Sequence, residues 1–280
     1  MPHGFGAISF PGLGITDINI NNIAFTVFGK AIYWYGIIIA TAFFLGVMLA
    51  CLLAKKRDIH PDRISDFALI ASPVAIIGAR VYYVATTWGQ YDSFYEVLAI
   101  WNGGIAIYGA ILAGLATAII FAKVKKIELM RLLDCLAPAV ILGQAIGRWG
   151  NFVNQEAFGT ACYLPWRMEL MLNGVATAVH PTFLYESLWN TVGFGILLFI
   201  FGKNKEDGTV FWSYMGWYGF GRFFIEGLRI DSLYVGTFRI SQIVAIAAVV
   251  VSGIMLFRKK GDEMKSDTVK GEEGKNGNSY

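Results

Sequence analysis

Apolar residues in this chain gather in runs of about 20, broken by short polar stretches, and a bilayer core about 30 Å thick needs a helix of about that length. Seven such windows are present, at 31–54, 67–88, 103–122, 132–152, 183–202, 209–228 and 240–257. They predict an all-α polytopic membrane protein of seven transmembrane helices forming one membrane domain over 1–257. The first, third and seventh windows carry no charge. Arg80 lies in the second, Asp134 and Arg148 in the fourth, Glu186 in the fifth, and Arg222 with Glu226 in the sixth. Residues 17–34 alternate apolar and polar around Phe28-Gly29-Lys30 and predict a short hairpin leading into the first helix. The stretch 258–280 has no apolar period and predicts a polar, solvated tail.

Composition agrees with this pattern. Of 280 residues, 56% are hydrophobic and 15% charged, where a soluble domain has about 25% charged; a soluble globule is excluded. The net charge of +3 carries no nucleic-acid signal. Cys51, Cys135 and Cys162 have neither metal spacing nor a disulfide pattern, so no metal and no cofactor are expected. The first Lys or Arg is Lys30, so a cleaved secretory signal with a basic start is not encoded.

Position of charge sets orientation. Most of the 23 basic residues follow the first, third, fifth and seventh windows or precede the second and fourth. Because Lys and Arg are retained inside, the N-terminus is expected outside and the C-terminus in the cytoplasm, with a small extracytoplasmic segment. Arg80, Tyr35, Tyr108, Arg148, His180, Tyr185, Glu186, Arg222 and Glu226 then fall toward the outer leaflet, and Asp134 toward the inner. No internal repeat supports an inverted-repeat transporter.

An arginine inside a bilayer costs about 2.5 to 3.5 kcal/mol on insertion scales, so three of them require partners or a hydrated cavity. Two readings stand side by side. Arg222 and Glu226, spaced i,i+4, can satisfy one another, and Arg80 can snorkel or pair. Alternatively the arginines hold an anion. The run Gly147-Arg148-Trp149-Gly150-Asn151-Phe152-Val153-Asn154-Gln155-Glu156-Ala157-Phe158-Gly159 favours the second, because it adds two carboxamides, a carboxylate and three glycines to a guanidinium. A guanidinium fork matches phosphate oxygens, and a phospholipid headgroup supplies phosphate at that depth.

The same run fits, at every defined position, the pattern G-R-x-G-N-F-x-N-x-E-x-x-G of the prolipoprotein diacylglyceryl transferases, which the chain resembles over nearly its whole length. Trp34-Tyr35-Gly36, Gly78-Ala79-Arg80, Gly103 to Gly109, His180 to Glu186 and Gly221 to Glu226 resemble further landmarks of the family, in its order. The resemblance implies a multi-pass enzyme of the bacterial inner membrane, with its site toward the outer leaflet. It would move the diacylglyceryl group of phosphatidylglycerol to the lipobox cysteine of a preprolipoprotein signal peptide, releasing glycerol phosphate.

On that resemblance Arg148 and Arg222 would hold and stabilise the departing phosphate. Asn151, Asn154, Glu156, Gly159, Tyr35 and Arg80 would bind the lipid, with Glu226, His180, Tyr185 and Glu186 in support. Some family members carry a histidine where this chain has Tyr108, and a tyrosine with a pKa near 10 is a poor base. Three proton acceptors stay open: Tyr108, His180 and the substrate's phosphate. Two other classes compete. A channel or transporter needs polar groups through both leaflets, of which the inner half offers little, and a lipid-binding protein would hold phosphate without turnover. Tryptophans 34, 88, 101, 149, 166 and 189 are expected mainly as interfacial belt residues.

Overall fold

The computed structural model describes residues 6–276 apart from 92 and 173. In chain order the elements are β1 (Ile8–Phe10), β2 (Ile15–Ile18), β3 (Ile23–Val27), β4 (Lys30–Tyr33), α1 (Trp34–Lys55), α2 (Pro61–Thr86), α3 (Phe94–Leu98), α4 (Ile107–Lys125) and α5 (Leu129–Val153). They continue with β5 (Met168–Leu172), β6 (Val175–Val179), α6 (Thr182–Lys203), α7 (Thr209–Leu228), β7 (Tyr234–Val235), β8 (Phe238–Arg239) and α8 (Ile240–Asn276).

Each predicted window overlaps a long helix, and 209–228 coincides with α7 end to end. Among the described residues, six helices are long and apolar enough to cross a membrane: α1, α2, α4, α5, α6 and the Ile240–Lys259 part of α8. The chain is therefore mostly helical and polytopic. Helix α7 is long enough, but it carries Ser213, Tyr214, Tyr218, Arg222 and Glu226, and this polarity sets it apart from the other six. Among the described residues eight short strands correct the expected all-α class; at two to five residues each they are too brief to impose a period on the sequence. Helix α8 also runs on to Asn276, through most of the segment expected as a polar, solvated tail; residues 277–280 of that tail lie outside the described residues.

Backbone contacts divide the chain into two compact units, one of Met1–Gly46 with Val140–Tyr280 and one of Val47–Ala139. In the second, α2 and α4 approach closely because both present glycine. A Cβ on Gly78 would lie 2.3 Å from Ala113 Cβ, and one on Gly109 would lie 2.3 Å from the Gly78 carbonyl oxygen. Small residues that let backbones meet are how helices associate where no hydrophobic force separates lipid from protein.

In the first unit β2-β1-β5-β6 form an antiparallel four-stranded sheet. Its apolar face, Ile8, Phe10, Met168, Leu170 and Val179, buries against Phe183 in the first turn of α6. The predicted hairpin is present as β3-β4, where Val27 pairs Lys30 across Phe28 (φ 49°) and Gly29 (φ 76°). Two consecutive left-handed residues give the tight turn that matches strand twist. Helices α6 and α7 are clasped by Trp189 and Trp217, while Gly216 and Gly219 of α7 admit Ser252 and the Ala245 carbonyl of α8.

Candidate active site

The glycine-framed run begins inside α5 and ends beyond it. After Val153 the chain turns at Gln155 (φ 51°) and Ala157 (φ 57°), both left-handed, and Glu156 N donates back to the Asn151 carbonyl at 3.0 Å. That turn brings the Glu156 carboxylate within reach of two carboxamides: Asn151 Nδ2 donates to Oε1 at 2.9 Å and Asn154 Nδ2 at 3.4 Å. Two anchors hold the turn, Gln155 Nε2 on the Gly6 carbonyl (2.7 Å) and Thr182 Oγ1 on the Ala157 carbonyl (2.5 Å). Glycine is required at 159, where a Cβ would lie 2.7 Å from His180 Cβ and 3.0 Å from the Leu228 carbonyl.

Three helices bring their charges to one point. Glu186, on α6, accepts from Arg148 Nη2 of α5 at 2.6 Å on Oε1 and from Arg222 Nη1 of α7 at 3.1 Å on Oε2. Arg222 also meets Glu226 one turn on, at 2.5 Å, and Arg148 Nη1 donates to Asn151 Oδ1 at 3.0 Å. The line Glu226, Arg222, Glu186, Arg148, Asn151, Glu156 is thus continuous. Arg239 Nη1 donates to the Glu226 carbonyl and ties α8 to its end.

Exposure within this line is uneven. The Arg148 and Arg222 side chains are 20% and 17% exposed, against 3% for Glu186. An approaching ligand therefore meets the guanidiniums, with the carboxylate sealed behind them. Each guanidinium carries five N–H donors, enough to serve a carboxylate and an anionic ligand together. Tyr218 of α7 hydrogen-bonds Arg148 and lies in the field of Glu186 and Arg222.

Around the line, Tyr35 of α1 sits over Gly150, where a Cβ would lie 2.7 Å from the ring, and it feels the charges of Glu156 and Arg148. Tyr185 accepts from Trp166 Nε1 at 2.8 Å, and its hydroxyl shares a hydrogen bond with His180 Nδ1 at 3.2 Å. Burial pushes the His180 imidazole below its ordinary range, which favours the neutral ring. Next to it Arg229 forks onto Asp231 at 2.6 and 2.9 Å; burial raises that carboxyl, and the guanidinium outweighs burial and holds it low.

Arg80 and Tyr108 belong to the other unit. Arg80 is 8% exposed and donates to four backbone carbonyls, those of Glu96 (2.6 Å), Val97 (2.9 Å), Gly103 and Gly104 (both 2.7 Å). Among the described residues it pairs with no carboxylate, and its contacts organise the loop from α3 to α4. Tyr108 lies in the first turn of α4 with its ring 6.4 Å from that of Tyr82. Among the described residues no cluster of His, Cys, Asp and Glu has the arrangement to hold a metal ion.

Of the expected residues the structure gathers Arg148, Asn151, Asn154, Glu156, Gly159, Tyr35, Glu186, Arg222 and Glu226 into one neighbourhood, with His180 and Tyr185 at its side. Sequence reasoning missed the central part played by Glu186, although Glu186 and Arg222 were both visible as intramembrane charges. It also missed Tyr218, four residues before Arg222 and so on the same face of α7. Three of the expected belt tryptophans give their indole N–H to protein acceptors, Trp166 to the Tyr185 hydroxyl as above and two more within the helices. Trp149 Nε1 donates to Ser187 Oγ (3.1 Å) and Trp189 Nε1 to the Trp217 carbonyl (3.0 Å), because helix contacts, and not headgroups, satisfy their indoles.

The family model described as prolipoprotein diacylglyceryl transferase matches residues 22–258. A phosphatidylglycerol–prolipoprotein diacylglyceryl transferase of Finegoldia magna is 44% identical over 89% of this chain and 99% of its own. Proteins of the same name from Listeria welshimeri (44% identity; 86% of this chain, 90% of the relative) and Trichormus variabilis (46%; 78% and 82%) are similar to it as well.

Proposed function

Because the chain belongs to the prolipoprotein diacylglyceryl transferase family, we propose that it transfers the diacylglyceryl group of phosphatidylglycerol to the lipobox cysteine of a preprolipoprotein, the first step of lipoprotein maturation. The cysteine sulfur forms a bond to the glyceryl carbon as that carbon's bond to the phosphate oxygen breaks. A thioether results, glycerol phosphate leaves with both electrons of the broken bond, and the thiol proton passes to an acceptor.

The observation that carries this reading is the pair of guanidiniums, from different helices, held on one sealed carboxylate. The phosphate gains negative charge as it departs, and preset donors aimed at developing charge lower such a barrier without reorganising. Arg148 and Arg222 supply those donors. Glu186 and Glu226 set their geometry, and Asn151, Asn154 and Glu156 recognise the glycerol hydroxyls, for which carboxamides and a carboxylate are suited donors and acceptors. Gly159 and Tyr35 shape the pocket. Arg80, committed to four carbonyls, acts by holding its loop.

The proton acceptor is the leaving phosphate itself. His180, bonded through Nδ1 to the Tyr185 hydroxyl, is a supporting residue. The chain crosses the bacterial inner membrane seven times, α7 included, with the N-terminus outside and the site facing the outer leaflet. The clustering of basic residues after α1, α4, α6 and α8 supports that orientation.

The test is to incubate the purified protein with phosphatidylglycerol and a lipobox peptide. Release of glycerol phosphate with a diacylglyceryl mass gain on the cysteine is expected. Binding of the lipid without either product would overturn the assignment.

A further inference from the structure

One helical turn below the charge line, on the same three helices, lies a second polar layer that the proposed chemistry does not use. Asn190 follows Glu186 by four residues on α6, Gln144 precedes Arg148 by four on α5, and Tyr218 precedes Arg222 by four on α7. Residues four apart share a helix face, so the three point into the same interior as the charges above them. Neighbouring contacts fix their level. Ser187 Oγ donates to the Ala145 carbonyl at 2.9 Å, and a Cβ on Gly193 would meet Trp217 and Ile141, so Asn190 lies between these heights.

Asn190 is 0% exposed, and neither its Oδ1 nor its Nδ2 has a protein partner among the described residues. Gln144 Nε2 donates to the Tyr214 hydroxyl at 3.0 Å, while its buried Oε1 has no partner there either. Glu186 acts electrostatically on both Tyr214 and Tyr218, which places these hydroxyls in the same neighbourhood.

Leaving a buried polar atom unsatisfied costs about 1 to 3 kcal/mol, and a carboxamide has up to four hydrogen bonds to fill. A buried asparagine with both ends open, in the same helix layer as a second open amide oxygen, is the setting in which internal water is found, since water needs two to four polar partners. We propose that Asn190 and Gln144 hold internal water beneath Glu186, making Asn190 a positioning residue for the two guanidiniums. Water at this level solvates the sealed carboxylate from below. The carboxylate then does not depend on the arginines alone for its hydration, and they keep donors for a ligand above.

Radiolytic hydroxyl labelling of the full chain in lipid nanodiscs, read by mass spectrometry, tests this without any substrate, so its failure is separate from a failure of the transferase reading. Buried water generates radical in place. Tyr214 and Tyr218 should label about fivefold faster than Phe183, which sits in the dry sheet core. In Asn190→Leu the rate should fall to the Phe183 level, and Asn190→Ser, small and polar enough to keep water, should restore it. Should Asn190→Leu fail to accumulate, Gln144→Leu is expected to give the same fall. Tyrosine labelling at the Phe183 level in the wild type, or unchanged in the leucine variants, would overturn the proposal.

Discussion

Trp189 and Trp217 each donate an indole N–H to the other's backbone carbonyl, at 3.0 and 3.1 Å, with rings stacked 4.2 Å apart at 14°. The reciprocity is possible because Gly193 and Gly221 leave the space the indoles fill; a Cβ at either would lie 2.2 Å from an indole nitrogen. The clasp fixes α6 against α7 one turn from the place where Glu186 meets Arg222. Trp217→Phe keeps the ring and removes one donor, at a cost of about 1 kcal/mol. Gly221→Ala forces the indole aside and should cost more, about 1 to 3 kcal/mol. Melting temperatures in detergent are expected to rank wild type, Trp217→Phe, Gly221→Ala in falling order.

Glu186→Ala leaves two partly buried guanidiniums facing each other with no carboxylate between them. Breaking a buried ion pair by removing one partner costs about 3 to 5 kcal/mol, so this variant should melt early or accumulate poorly. Glu186→Gln, isosteric and neutral, should fold and still lose turnover by about 100-fold, because both donors lose their fixed orientation. Near-normal glycerol phosphate release by Glu186→Gln would show that the carboxylate does not set the arginines.

Arg148→Lys and Arg222→Lys preserve charge and lose the planar fork. Each should lower kcat by about 100- to 1,000-fold, the loss found when one preset donor to a developing anion is removed. Radiolabelled phosphatidylglycerol turnover measures this directly. Retention of near-normal kcat by both variants would remove the phosphate-holding role.

His180 gives the pH dependence its sign. Its pKa is lowered by burial, so the folded protein binds fewer protons than the unfolded chain as pH falls from about 6.5, the ordinary histidine value. Stability contributed by the neutral ring is present above that value and is lost as pH falls toward the lower folded pKa. Melting measured at pH 7.5 and 5 should show an acid-side loss in the wild type that shrinks in His180→Gln.

Orientation is checked by labelling. With Cys51, Cys135 and Cys162 replaced by serine, Arg63→Cys in the exposed first turn of α2 should resist a membrane-impermeant maleimide in intact cells and react after lysis. Rapid labelling of intact cells would reverse the proposed sidedness.

The helices were legible because about 20 apolar residues are a strong, local signal, and the charges stood out against them. The sheet was not, since a strand such as Met168–Leu172 owes part of its pairing to a distant partner, Ser9 opposite Glu169. Within the site, the run from Gly147 to Gly159 announced itself by composition. The bridging by Glu186 did not, because a single carboxylate in the fifth window gives no sign of which arginines it reaches. Arg80 shows the opposite limit: its charge drew attention, while its four partners are carbonyls, which every residue possesses and no sequence pattern marks. The indoles of Trp149 and Trp189 were hidden for a similar reason, as their acceptors are a serine and a backbone oxygen.

The inner part of the charge line, Arg148, Arg222, Glu186 and Glu226, sums to zero. Such a quartet projects little field beyond its own dimensions, since opposed charges a few ångströms apart cancel at longer range. In a leaflet crowded with anionic headgroups it therefore exerts no general pull on them, and remains uncongested by lipids that merely carry charge. On the proposed reading, selection happens at touching distance, by fit to the two forks that stabilise the departing phosphate, and the zero net charge of the quartet leaves little long-range attraction to retain glycerol phosphate once it has parted.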